Sequence, residues 1–222
     1  MILSNYDFSA PITFDEDGVC TLVIENPVMY RSVVSEMLEQ ANGASGDFVL
    51  SENGEMLDFS KDVCIITDVF CLEHDTKAIN SKVLQSVSDE IPAVSSDAER
   101  LIADLNALAA TLAARQVFDV GFHELYDLSG VLKLFGFSLD IAELSLPERL
   151  AEYISFIASC RGKRLFVILH LKSLLSDEEQ ELFFKTMRYK KIPLLLLETH
   201  QHPYRHPAEK LRVIDADLCE IG

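Results

Sequence analysis

Val63-Cys64-Ile65-Ile66-Thr67-Asp68 sets five apolar or β-branched residues in a row and closes them with a carboxylate. Val69 and Phe70 extend the run. A short apolar stretch without alternation suits a strand buried on both faces, as in the middle of a parallel sheet. Two more stretches match it: Leu165-Phe166-Val167-Ile168-Leu169-His170-Leu171 and Ile192-Pro193-Leu194-Leu195-Leu196-Leu197-Glu198. Polar residues follow each, and a helix-like segment follows the first two. The pattern predicts an α/β protein whose strands end along one edge of a mostly parallel sheet.

Upstream, residues 19–25 predict a strand, and Pro27 suits the first turn of a helix over 28–40 with Val33, Val34, Met37 and Leu38 on its buried face. Residues 48–50 and 56–59 flank Asn53-Gly54, the strongest short hairpin signal, so a β-ribbon leads into Val63. Downstream, 75–90 predicts a helix with Ile79, Val83, Leu84 and Val87 along one side. Ser96-Asp97-Ala98-Glu99 has the form of a capping box, and Leu101, Leu105, Leu108 and Leu112 then recur at helical spacing to about residue 118. Further helices are predicted over 127–135 and over 146–160, the latter with Pro147 in its first turn. Little strand signal lies between residues 90 and 161, a stretch far longer than one crossover needs. Residues 91–160 are therefore expected to form a helical leg subdomain inserted into an α/β head made of 1–90 and 161–222. The head resumes with the strand at 165–171 and a capping box at Ser176-Asp177-Glu178-Glu179, which opens a helix to Arg188. The strand at 192–198, a loop over 199–207 and a last strand over 211–214 complete it.

The 222 residues carry a net charge of −17 and 49% apolar side chains. This is chain enough for one good-sized domain, or for one domain with a substantial insertion. Residues 1–60 hold one base against eleven acids, 61–160 seven against sixteen, and 161–222 eleven against nine. So acidic a total repels polyanions at long range, and only a concentrated basic surface could hold one. Solubility is the simplest consequence. No apolar run nears the ~18–20 residues that a membrane-spanning helix needs. The opening Met1-Ile2-Leu3-Ser4-Asn5-Tyr6-Asp7 lacks the basic start and apolar core of a signal peptide. Cys20, Cys64, Cys71, Cys160 and Cys219 form no C-x-x-C pair and sit in or beside apolar runs. Together these features predict reduced core thiols in a cytoplasmic protein with no membrane partner.

Nucleotide hydrolysis needs a glycine loop whose N–H groups close on phosphate and a lysine to reach it. Among nine glycines none forms G-x-x-x-x-G-K-[ST] or G-x-G-x-x-G. Gly162-Lys163, the sole Gly-Lys pair, precedes its strand, and Arg164 stands where a hydroxyl would hold magnesium. Asp68 then reads as a cap or surface carboxylate. The one dense histidine cluster, His200, His202 and His206 after Glu198, has His-x-His spacing that zinc can use, and a metal-dependent hydrolase there is the alternative reading. Calcium wants six to eight oxygens. Asp119, Glu124 and Asp127 bracket Gly121 at a break between helices where carbonyls are also free, whereas Asp15-Glu16-Asp17 reads as a solvated turn. No nucleophile–histidine pairing has a local signature. In 161–191 the bases Arg161, Lys163, Arg164, Lys172, Lys185, Arg188, Lys190 and Lys191 outnumber acids eight to four. Phosphate contacts need only well-aimed bases, without a motif.

The order of parts carries a resemblance. Thr21-Leu22-Val23-Ile24-Glu25 runs straight into a helix, the hairpin leads to Cys64-Ile65-Ile66-Thr67-Asp68, and a long helical segment follows. The chain re-enters at Lys163-Arg164-Leu165-Phe166-Val167-Ile168-Leu169, then Leu175-Ser176-Asp177-Glu178-Glu179, Pro193-Leu194-Leu195-Leu196-Leu197-Glu198 and Arg212-Val213-Ile214-Asp215-Ala216-Asp217. Over nearly its whole length it resembles the small adaptation protein of type II-A CRISPR systems, the Csn-two family. The resemblance implies a P-loop-like head without a phosphate loop or bound nucleotide, a helical leg, and a homotetrameric ring. It implies sequence-independent binding of double-stranded DNA ends in a basic channel during spacer acquisition, alongside the CRISPR integrase complex and effector nuclease, with no enzymatic activity. A scaffold that does not bind DNA is a further alternative, given the acidity. Calcium at the head–leg junction would support the ring. Tyr126-Asp127 matches the junction acid, which makes Asp127 the first calcium ligand, with Glu124 and Asp119 beside it. Lys133 stands where another acid is expected. Lys77 and Lys82 lie close to the family's channel positions; with Lys133 and the dense bases of the last third, the expected DNA-binding set is Lys77, Lys82, Lys133, Arg161, Lys163, Arg164 and Lys172.

Overall fold

The computed structural model describes residues 1–15, 18–72 and 76–221. Glu16 and Asp17 of the acidic turn, and Asp75 at the expected start of a helix, lie outside the described residues. Along the chain come β1 (Ile2–Ser4), β2 (Ile12–Thr13), β3 (Val19–Ile24), α1 (Pro27–Ala41), β4 (Val49–Glu52), β5 (Glu55–Met56), α2 (Phe59–Asp62) and β6 (Val63–Ile66). Then follow α3 (Lys77–Asp89), a 3-10 turn (Ile91–Val94), α4 (Ser95–Ala114) and α5 (Ser129–Lys133). The last stretch holds α6 (Leu146–Arg161), β7 (Leu165–Leu169), α7 (Asp177–Tyr189), β8 (Leu194–Glu198), β9 (Glu209–Ile214) and β10 (Glu220–Ile221). These elements form two compact units, Met1–Leu72 with Ile141–Gly222, and Glu73–Asp140. The division falls earlier at both ends than residues 91–160. Helix α6 belongs to the first unit because it buries Leu150, Ile154 and Ile157 and packs on α7.

The first unit is built on a six-stranded sheet in the order β10-β9-β3-β8-β7-β6, parallel from β9 to β6. β10 joins antiparallel beside β9. A second, antiparallel sheet runs β2-β1-β4-β5. From the main sheet, Leu22 and Ile24 of β3, Leu165, Val167 and Leu169 of β7, and Leu195 and Leu197 of β8 enter one apolar cluster. Tyr30, Val33 and Met37 of α1 and Leu3 and Leu50 of the small sheet complete it. The alternate residues Phe166, Ile168, Leu194 and Leu196 face the other way and are equally buried, which leaves α6 and α7 to cover them. Each such side chain contributes ~1.5–3 kcal/mol by leaving water. β6 is a correction to the expectation of a central strand: it is the sheet's edge, with Cys64 and Ile65 only half-buried. An apolar run reports buried faces, not the number of neighbouring strands. Asp68 ends it by accepting from the Phe70 N–H at 2.8 Å.

Local chemistry sets the joints. Asn53 and Gly54 both have positive φ, 51° and 84°, as a tight hairpin turn between β4 and β5 requires. The ribbon is shorter than expected, because Asp58 caps α2 at Ser60 and Lys61. Gly162 takes φ 67° as the left-handed cap of α6, which is its use in place of any phosphate contact. The box at Ser96 does not form, since α4 grows directly out of the 3-10 turn and Ser96 lies inside its first turn. A box missed in the sequence, Ser145 with Glu148, opens α6 instead. At α7 the expected box is present: Ser176 Oγ accepts from the Glu179 N–H, and the Glu179 carboxylate accepts from the Ser176 N–H. Ser176→Ala should lower stability by about 1 kcal/mol in urea titration. A loss below a few tenths would show that water replaces the cap.

All five cysteines are free; Cys20 is buried, but Cys71 and Cys219 are exposed and so are not core thiols. Among the described residues no helix is long and apolar enough to cross a membrane.

Candidate nucleic-acid interface

In the second unit α3 begins at Thr76, whose hydroxyl accepts from the Ile79 N–H, and it is pinned by Ile79, 1% exposed. That register leaves Lys77 and Lys82 exposed. α5 packs against α3 and ends at Lys133, after which Gly136 turns the chain with φ 64°. A groove of about 330 Å³ results, lined by Lys77, Asn80, Ser81, Leu84, Lys133 and Phe137. Two ammonium groups beside Asn80 and Ser81, with Leu84 and Phe137 adding apolar surface, suit an anion such as a phosphate. Lys82, on the same helix, donates to Gln85 Oε1 at 3.2 Å.

The bases of the first unit divide differently. Arg161 is exposed in the last turn of α6. Arg164 pairs with Glu52 at 2.8 Å and lies 3.8 Å from Asp62. Lys163 donates to the carbonyls of Ser60 and Val63, both at 2.7 Å, and burial holds its ammonium below the usual lysine range. Lys163 and Arg164 line a 510 Å³ cleft with Lys191, Asp15 and Glu52, so acids share that surface. Lys172 is a correction. It is 5% exposed and locked to Glu209 at 2.8 Å, with a further bond to the Tyr204 carbonyl, so it cannot reach a phosphate in this fold.

Lys172 instead anchors a network that links Glu198 at the carboxyl end of β8 to Glu209 at the amino end of β9, which sequence reasoning missed. Glu209, 4% exposed, also accepts from the Thr21 hydroxyl and from the His206 N–H. Glu198 is fully buried; its Oε1 accepts from the Lys172 N–H at 2.8 Å. Burial pushes the Glu198 carboxyl up to about 7, against the lowering effect of the Lys172 N–H and ammonium. His202 lies 3.5 Å from it, held below the ordinary histidine value by burial and by His200. His170 adopts φ 55°, a costly conformation for a residue with a bulky ring, and hydrogen-bonds Tyr30 at 2.9 Å. The sequence signal for this network was a carboxylate ending an all-leucine strand.

The histidine cluster comes apart in space. His200 and His202 stack with ring centres 4.5 Å apart, but His206 turns to Phe184 and Glu181. Asp119, Glu124 and Asp127 are exposed; Asp127 accepts from the Ser129 N–H at 2.7 Å, which with Lys133 holds its carboxyl below the usual range. Glu124 accepts from the Tyr126 hydroxyl at 3.5 Å. Among the described residues no three His, Cys, Asp or Glu side chains gather as metal ligands. The three acids therefore do not fit calcium within one chain.

A family model described as CRISPR-associated protein (Cas_Csn2) matches residues 40–218. Comparison with curated proteins finds no match. Among solved structures, an ATP-binding cassette of an ABC transporter in its ADP conformation is similar at 9% identity and TM-score 0.41, over 90% of this chain and 80% of that one. A putative ABC transporter ATP-binding protein from Pyrococcus furiosus is similar at 9% identity and TM-score 0.38, over 91% and 88%. Likenesses this distant say nothing of what this chain binds.

Proposed function

This chain belongs to the CRISPR-associated Csn2 family, and from that premise we propose that it binds ends of double-stranded DNA, without sequence preference, during spacer acquisition. The match over residues 40–218 carries the proposal. The meeting of Lys77 and Lys133 on one groove supports it, because both were expected to face DNA and they come from segments more than fifty residues apart. In this proposal the protein works as a homotetrameric ring and is not itself an enzyme. It acts beside the CRISPR integrase complex and effector nuclease.

The physical difficulty is charge: 17 net negative charges on each copy repel a duplex at long range. A closed ring resolves it by turning a few bases inward in several copies while the acids face outward. Binding then proceeds by phosphate neutralisation and counterion release, so log K falls by ~0.9 per phosphate contact for each tenfold rise in salt. Calcium belongs to this proposal only as an ion whose further ligands come from outside the single chain.

A gel shift with linear and closed-circular forms of one DNA tests the proposal. Linear DNA is expected to shift, with affinity falling steeply in salt, and the circle is expected not to. Equal shifts of both forms, or none with calcium present, would overturn it. Mass in solution, measured with and without calcium, checks the ring; a monomer under both conditions would remove it.

A further inference from the structure

Glu198 is fully buried, yet only its Oε1 is hydrogen-bonded. Its Oε2 has no hydrogen-bond partner and lies 3.5 Å from His202 Nε2, which likewise has none. Two buried acceptor-capable atoms face each other across one gap. With Glu198 ionised and the neutral His202 ring carrying its proton on Nδ1, two lone pairs oppose one another in a low-dielectric site. With that proton on Nε2 the ring donates to the carboxylate, but a fully buried charge still stands there. A proton on either atom lets the pair close from 3.5 Å to hydrogen-bond distance.

The surroundings favour one proton over none or two. Lys172 is paired with Glu209, whose carboxylate opposes ionisation of Glu198 while the ammonium favours it, so the pair leaves little charge to balance a second buried carboxylate. His200 stacks on His202, and burial together with the charge of His200 lowers both His202 and His170; a second proton on the histidines is thus opposed. From α1, Tyr30 faces the same site, and burial, with the Glu198 carboxylate adding to it, pushes the phenol up to about 12. The loop beyond is anchored independently: Tyr204 donates to Glu181, and His206 holds Glu209 and Glu181. Before Pro203, the ties to the sheet include His202 to Glu198 and a weak bond from Gln201 to Glu25 at 3.3 Å.

We propose that one proton shared between Glu198 and His202 fastens residues 199–203 over the carboxyl edge of the sheet, and that the segment loosens when this proton is lost or a second is added. Glu198, raised, favours the closed segment fully below about 4.5 and loses that contribution as pH climbs to about 7. His202, lowered, works the other way: its contribution is present above about 6.5, where a freed histidine is also neutral, and is lost as pH falls. Between those two limits the closed and the freed segment hold one proton each, so closure is at its maximum and nearly flat there. It weakens on either side.

The test is amide hydrogen exchange of Thr199 to His202, corrected for intrinsic pH effects, in the wild type, Glu198→Gln and His202→Gln. Glu198→Gln copies the protonated carboxyl and should remove the alkaline fall. The ratio of its protection to that of the wild type should grow by roughly 100-fold between pH 4.5 and 8. His202→Gln should remove the acid fall. Carboxyl carbon titration of Glu198 by NMR should show its midpoint near neutrality. A midpoint near 4.5, or a Glu198→Gln profile parallel to the wild type at every pH, would overturn the proposal. The parallel profile is what a purely structural role for the side chain produces.

Discussion

Lys172→Ala should destabilise the protein by about 3–5 kcal/mol, because it strands the Glu209 carboxylate in the interior. The pair is 4% and 0% exposed, and water cannot replace the missing ammonium. For a chain of this size such a loss corresponds to a drop in Tm on the order of 10 °C. Two controls make the cause visible. Lys172→Met alone should be about as damaging, since it also leaves the charge unpaired. Adding Glu209→Gln to Lys172→Met should recover much of the loss, because the amide needs no counter-ion and still accepts from Thr21. A Lys172→Ala variant within about 1 kcal/mol of wild type would mean that the buried pair is not formed in solution. At temperatures where the variant stays folded, its DNA binding should match the wild type, which separates a buried strut from a phosphate contact.

The second large effect tests the proposed interface. Lys77→Glu combined with Lys133→Glu should weaken binding of linear DNA roughly 100-fold and flatten the salt dependence, since each lost phosphate contact lowers the slope by ~0.9. Both side chains are exposed, so stability should stay within ~0.5 kcal/mol of wild type per site. The variant must therefore be compared as a folded protein of unchanged mass. Unaltered affinity with an unaltered salt slope would place the DNA elsewhere, and the cleft around Lys163 and Arg164 is the next surface to reverse.

How far the fold could be read along the chain depended on the range of the forces involved. Apolar runs at 19–24, 165–169 and 194–198 became strands because burial on two faces is written into consecutive residues. Asn53-Gly54 became the turn, and Ser176 with Glu179 became the cap, because both are settled within four residues. Membership of the family was legible for a similar reason, since the order and spacing of those local elements is itself a linear pattern.

Partner choice was not legible. Lys172 and Lys77 are the same residue type, yet one is sealed against Glu209, 37 residues away, while the other stands in an open groove. β6 reads like a central strand and lies at the edge; His206 reads like a companion of His202 and turns its ring to Phe184. Charge pairing, strand order and ring direction are decided by atoms brought together only when the sheet closes. Local sequence sets which faces must leave water, and the tertiary structure alone determines what each buried charge then finds opposite it.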